Sequence, residues 1–320
     1  MALDSVRNAR VALTGASGFL GSRVARRLVE LGARVHAYGR RPSHPIEGAE
    51  YTSWDITEGP LRGAPEVDAV IHCAGAVTDW GPRDLFVQCH EVGTRNVLAS
   101  FDAPIVHVST ASVYDPYREK RFVREDATLP RRYLNAYSET KAEAERIIAT
   151  RSRHVILRPH AIYGPGDHVL LPRILEAYRF GRLIAVGDGS NRISLTHVDN
   201  LVDACVLALG RSLADATTGV FNVADDAPVV LHDALTAVLR ATGRNPRVNY
   251  LPKRVGYAVG AVLERAYELA EREKPPRLTR YRVAQLASEY VLDITRAKDV
   301  LGYRPERTFA AFVASGELGS

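Results

Sequence analysis

Arg10-Val11-Ala12-Leu13-Thr14-Gly15-Ala16-Ser17-Gly18-Phe19-Leu20-Gly21 is the stretch on which the fold turns. Five residues with an apolar middle read as a short strand. Apolar residues then recur at Leu20, Val24, Leu28 and Leu31, a helical stripe that stops at Gly32. Between the two lie three glycines, which permit a tight turn, close approach of a ligand to the backbone, and close packing of helix on strand.

Outward from this unit, the alternation repeats. Strands are expected at 35–38, at 67–72, at 104–108 and at 154–157, with a third strand ending before Asp55 and helices between most of them. Such units give a doubly wound parallel sheet with helices on both faces, an α/β fold of the Rossmann type. After Gly164 the rhythm changes: a helix near 169–180, a strand over 193–198, a helix over 199–210 and a strand at 220–223. Beyond Asp225 the chain reads as mainly helical. The expected organisation is a dinucleotide-binding domain from 8–164 and 193–224, with a smaller substrate lobe from 165–192 and 225–320.

Composition narrows the function classes. The 320 residues are 46% hydrophobic and 25% charged, ordinary for a globular protein. The 42 basic and 37 acidic residues leave +5, and the basic residues form no block, so no nucleic-acid partner is expected. No apolar run has the ~20 residues of a membrane span, and the polar start carries no secretory signal. Cys73, Cys89 and Cys205 are odd in number and far apart, which fits reduced thiols in a cytoplasmic protein; no metal-ligand spacing is present.

The loop lies directly between strand and helix, where a helix N-terminus offers N–H groups to a pyrophosphate. Gly15, Ser17, Gly18, Phe19, Leu20 and Gly21 are therefore expected to hold a dinucleotide. Past the second strand the chain reads Gly39-Arg40-Arg41-Pro42, with no acid to take a ribose 2′-hydroxyl. Arg40 and Arg41 suit a 2′-phosphate, so NADP(H) is favoured and NAD(H) remains open. Asp55, with Ile56 beside it, is a candidate contact for the adenine edge; the alternative is a cap for the turn through Thr57.

Tyr137 and Lys141 are four apart in a helical stretch, so they share one face. An ordinary tyrosine pKa of about 10 leaves little phenolate at neutral pH, and a lysine ammonium is a plausible means of lowering it. In the reductive direction the neutral phenol donates its proton to a carbonyl oxygen. Only five of the 42 basic residues are lysine, so a lysine at 141 looks chosen for its compact charge. Thr110 follows the strand at 104–108, where ligands of open parallel sheets sit; it is the hydroxyl expected to orient the substrate oxygen, with Ser109 and Ser112 as second choices.

The motifs Thr14–Gly21, Ser109-Thr110, Tyr137/Lys141 and Arg158-Pro159 through Tyr163-Gly164-Pro165-Gly166-Asp167 resemble the extended short-chain dehydrogenase/reductases, over nearly the whole chain. The resemblance implies that Thr110, Tyr137 and Lys141 form the catalytic triad, that Lys141 also holds the nicotinamide ribose, and that backbone near Ala74-Gly75-Ala76 and Pro159 lines the cofactor. Ala111-Ser112 after Thr110 departs from the Thr-Asp-Glu of the sugar-nucleotide dehydratases. Ala161 stands where epimerases carry asparagine. The stretch 158–167 and His197-Val198-Asp199-Asn200 look more like the 3β-hydroxysteroid dehydrogenase branch. His90 replaces an asparagine of the family pattern, with a structural histidine at a helix start as the alternative.

The expected activity is interconversion of a ketone and a secondary alcohol, with the substrate between the lobes near 77–80, His160, Tyr163 and 167–195, packing being the alternative for His160 and Trp80; that the substrate is hydrophobic is implied by the resemblance alone. A sugar-nucleotide epimerase or 4-ketoreductase, and a non-enzymatic dinucleotide sensor, are the competing readings. The residues leave oligomeric state open, and the family resemblance makes a homodimer one of the states to expect.

Overall fold

The computed structural model describes residues 3–319. Seven strands form its main sheet: β1 (Arg10–Thr14), β2 (Arg34–Gly39), β3 (Ala49–Ser53), β4 (Ala69–His72), β5 (Ile105–Val108), β6 (His154–Pro159) and β7 (Gly219–Val223). Their order is β7-β6-β5-β4-β1-β2-β3, and every pairing is parallel. The order reverses between β1 and β4, which opens a crevice at the carboxyl ends of those strands.

Alternation along β1 assigns its residues to two cores. Val11 and Leu13 join the apolar cluster that includes Val24 and Leu28, whereas Ala12 faces the opposite cluster with Tyr38, Val70 and Ile156. Both β4 and β5 are buried along their full length, as strands covered on two sides must be. β3 is an edge strand, polar and largely exposed, with one neighbour.

The helices that frame the crevice are α1 (Gly21–Glu30), α2 (83–100), α3 (Ala136–Ile148), α4 (Leu170–Ala177) and α5 (Val198–Asp215). α2 widens to a π-type turn over Val87–Val92. The smaller lobe is led by α6 (Leu231–Ala241), α7 (Lys253–Leu269) and α8 (Arg280–Leu286).

The structure departs from the expected elements in the later chain. The strand anticipated over 193–198 splits into Arg192–Ile193 and Thr196–His197, which join different small sheets and not the main one. The helix near 169–180 ends at Ala177, because Tyr178–Arg179 pairs with Arg182–Val186 across a turn in which Gly181 has φ +73°. Short strands also occur at Val229–Val230, Val248–Leu251 and Tyr290–Leu292 within the expected helical region. Tyr290–Leu292 pairs with Lys120–Val123, fastening the far end of the chain to the segment beyond β5.

Candidate active site

The glycine loop has the geometry its composition requires. Gly15 has φ +74°, and a Cβ there would lie 2.7 Å from the Ala74 amide nitrogen. A Cβ at Gly21 would overlap the Gly15 carbonyl, so α1 packs directly on the turn. No side chain caps the start of α1, although Ser22 N donates to the Gly18 carbonyl and Arg23 N to that of Leu20, both at 3.1 Å; the positive end of the helix dipole faces the loop. A Cβ at Gly39 would lie 2.8 Å from Ser17 Oγ, so Ser17 stands against the end of β2, beside the exposed Arg40 and Arg41. A helix start without a side-chain cap, a hydroxyl and two exposed cations at one crevice fit a dinucleotide, whose phosphates Gly15, Ser17, Gly18, Phe19, Leu20 and Gly21 would surround. Asp55 behaves as the turn cap: its Oδ1 accepts from Thr57 N at 2.9 Å and Thr57 Oγ at 2.8 Å. Ile56 is buried, and its carbonyl accepts from Asn96 Nδ2 at 2.7 Å.

α3 presents Tyr137 and Lys141 one turn apart. Asn135 starts the helix: its Oδ1 accepts from Ser138 N at 3.1 Å, and its Nδ2 donates to the Asp79 carbonyl at 3.3 Å. Lys141 Nζ donates to the Val108 carbonyl at 2.7 Å, which fixes α3 to the end of β5. Burial pushes Lys141 down to about 8, with Glu145 pulling the other way. Burial also raises Tyr137, and the nearby Thr110 hydroxyl opposes that rise. Sequence spacing points to Lys141 as a charge that lowers Tyr137; here burial outweighs every favourable partner, and the phenol is neutral at ordinary pH. Thr110 is buried after β5, its Oγ accepting from Ser112 N at 3.1 Å. Thr110, Tyr137 and Lys141 therefore meet at the carboxyl edge of β5.

Beneath them, Glu145 ties three elements together. It accepts from Arg158 Nε at 2.9 Å, Arg158 Nη2 at 2.6 Å and Ser109 Oγ at 2.5 Å. Ser109 thus serves the scaffold. Ser112 Oγ lies 2.7 Å from Tyr281 Oη on α8.

His90 is not at a helix start. It sits in the π-type turn of α2, buried, with Nδ1 2.8 Å from Thr140 Oγ and Nε2 3.1 Å from both the nitrogen and the oxygen of Ala76. One histidine so joins the Ala74-Gly75-Ala76 loop to α3, and its ring stands 5.6 Å from that of Tyr137. Burial, aided by the charge of Lys141, holds it down to about 3.

The substrate side differs from the sequence expectation at two residues. Tyr163 is fully buried and donates to Asp225 at 2.6 Å, and His160 stacks on Tyr290 at 3.9 Å while bonding Ser194 and Gln285. Both are packing residues. Ala161 between them holds φ +45°, a conformation asparagine tolerates better than alanine, with its carbonyl accepting from Thr196 N at 3.3 Å. Two of the expected stretches, 77–80 and 167–195, do meet here through Asp79 and Arg173, but sequence reasoning missed the third member, Arg282, and the cluster they form. Asp79, after β4, accepts from Arg282 Nε at 2.9 Å and Arg173 Nη2 at 2.9 Å, and Trp80 Nε1 donates to the Arg272 carbonyl at 3.0 Å. No sequence signal links positions so far apart.

Residues 11–224 match the NAD dependent epimerase/dehydratase family. The chain belongs to that family. It is 32% identical to the 2-alkyl-3-oxoalkanoate reductase of Shewanella oneidensis, over 91% of this chain and 81% of that one. It is 25% identical to the sterol-4-alpha-carboxylate 3-dehydrogenase, decarboxylating, of Mus musculus, over 97% and 92%. Among solved structures, MoeE5 in complex with UDP-glucose and NAD superimposes with a TM-score of 0.73 at 23% identity, covering 96% of this chain and 97% of that one. The chain is an NAD(P)-dependent enzyme of the extended short-chain dehydrogenase/reductase type, with reductase and dehydrogenase relatives that include the 3β-hydroxysteroid dehydrogenase-like branch. Among the described residues, no helix is long and apolar enough to cross a membrane, and no group of His, Cys, Asp and Glu is arranged to hold a metal.

Proposed function

We propose that this enzyme interconverts a ketone and a secondary alcohol with NADP(H), on carboxylic acids that carry the reacting oxygen on the β-carbon. The substrate class is supported by what two relatives' names share. One names a 3-oxo group beside a 2-alkyl carboxylate, the other a 3-position redox carbon beside a 4-carboxylate. Both are α-branched acids oxidised or reduced one carbon further on. The cofactor preference is supported by exposed Arg40 and Arg41, with no acid, at the end of β2.

When bound, the nicotinamide supplies or accepts the hydride. Tyr137, kept neutral by burial, donates its proton to the carbonyl oxygen in reduction and takes the alcohol proton in oxidation. Thr110 shares that oxygen and orients it. Lys141, anchored on Val108, lies one turn deeper, where the family places the nicotinamide ribose. Backbone of Ala74, Gly75, Ala76 and Pro159 lines the same crevice. The observation that carries the reading is the meeting of the Thr110 and Tyr137 hydroxyls at the edge of β5.

The test is absorbance at the reduced nicotinamide band, with a 2-alkyl-3-hydroxyalkanoic acid and either oxidised cofactor. Tyr137→Phe should lower turnover by about 10²-fold or more while dinucleotide binding, followed by fluorescence, is kept. Turnover equal to that of the unaltered enzyme removes the mechanism.

A further inference from the structure

Asp79 is a carboxylate in the loop that follows β4, 6% exposed, and two guanidiniums face it. The cluster therefore carries one net positive charge. Its members come from three distant elements: the loop after β4, α4 and α8. The Asp79 backbone is also held by Asn135, two residues before Tyr137, so the cluster stands at the mouth of the catalytic helix.

The two arginines are not equivalent. Arg282 is fully engaged: Nε and Nη2 grip both Asp79 oxygens at 2.9 and 3.2 Å, and Nη1 donates to the carbonyls of Pro276 and Arg277 at 2.9 and 3.2 Å. Arg173 gives a single bond, Nη2 to Asp79 Oδ1 at 2.9 Å, and its side chain is 37% exposed against 17% for Arg282. Among the described residues it has no second acceptor, so one edge of the guanidinium remains for a ligand. Its charge is felt at the hydroxyls of both Tyr137 and Tyr281.

In a β-oxo acid the carboxylate carbon lies two C–C bonds, about 2.5 Å, from the carbonyl carbon. A carbonyl held by Tyr137 and Thr110 therefore puts the carboxylate beside it within the same crevice. We propose that Arg173 binds the substrate carboxylate through its unused edge, with Asp79 and Arg282 as the pair that fixes its guanidinium. A planar guanidinium is the group best matched to a carboxylate, and its neighbour Asp79 prevents it from folding back into solvent. The inference rests on the β-oxo/β-hydroxy acid reading above and names the residue that selects for it.

A stable probe pair tests it: a 2-alkyl-3-hydroxyalkanoic acid and its primary amide, equal in shape and unequal in charge, each oxidised by the enzyme with NADP+. The unaltered enzyme should prefer the acid. Arg173→Gln should lower kcat/KM for the acid by about 30-fold, chiefly through KM, and for the amide by no more than about threefold. Arg173→Lys should restore part of the preference. Equal losses for acid and amide, or an acid unaffected by the substitution, overturn the proposal, because an arginine needed only for packing would not read the charge. Calorimetric titration of the acid into the enzyme–dinucleotide complex separates this from the reaction itself. Binding lost in Arg173→Gln, with no turnover in either protein, keeps Arg173 and removes the oxidoreductase reading; equal binding in both removes Arg173.

Discussion

Glu145→Gln probes the scaffold beneath the catalytic pair. Glu145 lies two turns along α3 from Tyr137, and it and Arg158 are about 5% exposed. Glutamine keeps the shape but removes the charge, and its amide must turn a donor toward one of the Arg158 N–H groups. The guanidinium then keeps the glutamine oxygen for one N–H, the Glu125 carbonyl at 3.3 Å and the face of Tyr114 at 4.9 Å, but no countercharge. Leaving a buried charge without its partner costs about 3–5 kcal/mol. With an unfolding entropy of about 2 cal/mol/K per residue over 320 residues, that corresponds to a fall in Tm of about 5–8 °C. Thermal unfolding by circular dichroism, at fixed dinucleotide concentration, measures it. The double variant Glu145→Gln, Arg158→Met carries no stranded charge and should recover at least half of the loss. A single variant within about 1 °C of the unaltered protein, or a double variant whose loss equals the sum of the singles, would refute the reasoning.

Two further outcomes follow from the cofactor crevice and the buried histidines. Replacing Arg40 and Arg41 together by Ser should lower kcat/KM with NADPH by about tenfold and leave NADH within about twofold, since only a 2′-phosphate meets those cations. An unchanged ratio of the two cofactors removes the NADP(H) preference. Burial, with the charge of Lys141, holds His72 and His90 down to about 3, and His107 well below its ordinary value. The unfolded chain takes up these protons from about pH 6.5 downward, whereas the folded one does not. Stability is therefore complete above that pH and falls as pH drops toward about 3, by up to about 1.4 kcal/mol per pH unit for each ring. Asp79, held below the usual carboxylate range despite burial by Arg282 and Arg173, adds to the loss only below about pH 4. Urea midpoints at pH 7.5, 6 and 5 should decline in that order; a constant midpoint would mean that the rings are protonated in the folded protein.

What could be read in the sequence, and what could not, divides along a physical line. The glycine loop is legible because its demands are local: Gly15 needs positive φ and Gly21 has no room for a Cβ, whatever surrounds them. Tyr137 and Lys141 are legible because one helix fixes their spacing, and Thr110 because a strand end fixes its place. β3 escaped exact placement because an exposed edge strand of sequence Ala49-Glu50-Tyr51-Thr52-Ser53 carries no apolar run. The sequence leaves His90 between a replaced asparagine and a histidine at a helix start, because a π-type turn leaves no periodic trace and only the fold brings it to Ala76 and Thr140. Asp79, Arg173 and Arg282 are 94 and 203 residues apart on their two links, in a chain where arginine is common everywhere. The chemistry of proton and hydride needs one helix, one loop and one strand end, and so stays visible. Recognition of a substrate needs walls from several distant elements, which only the folded chain assembles. That asymmetry gives the proposal its test: if Arg173 selects the acid, changing the occupant of position 173 alters what is bound while Tyr137 and Lys141 stay where α3 holds them.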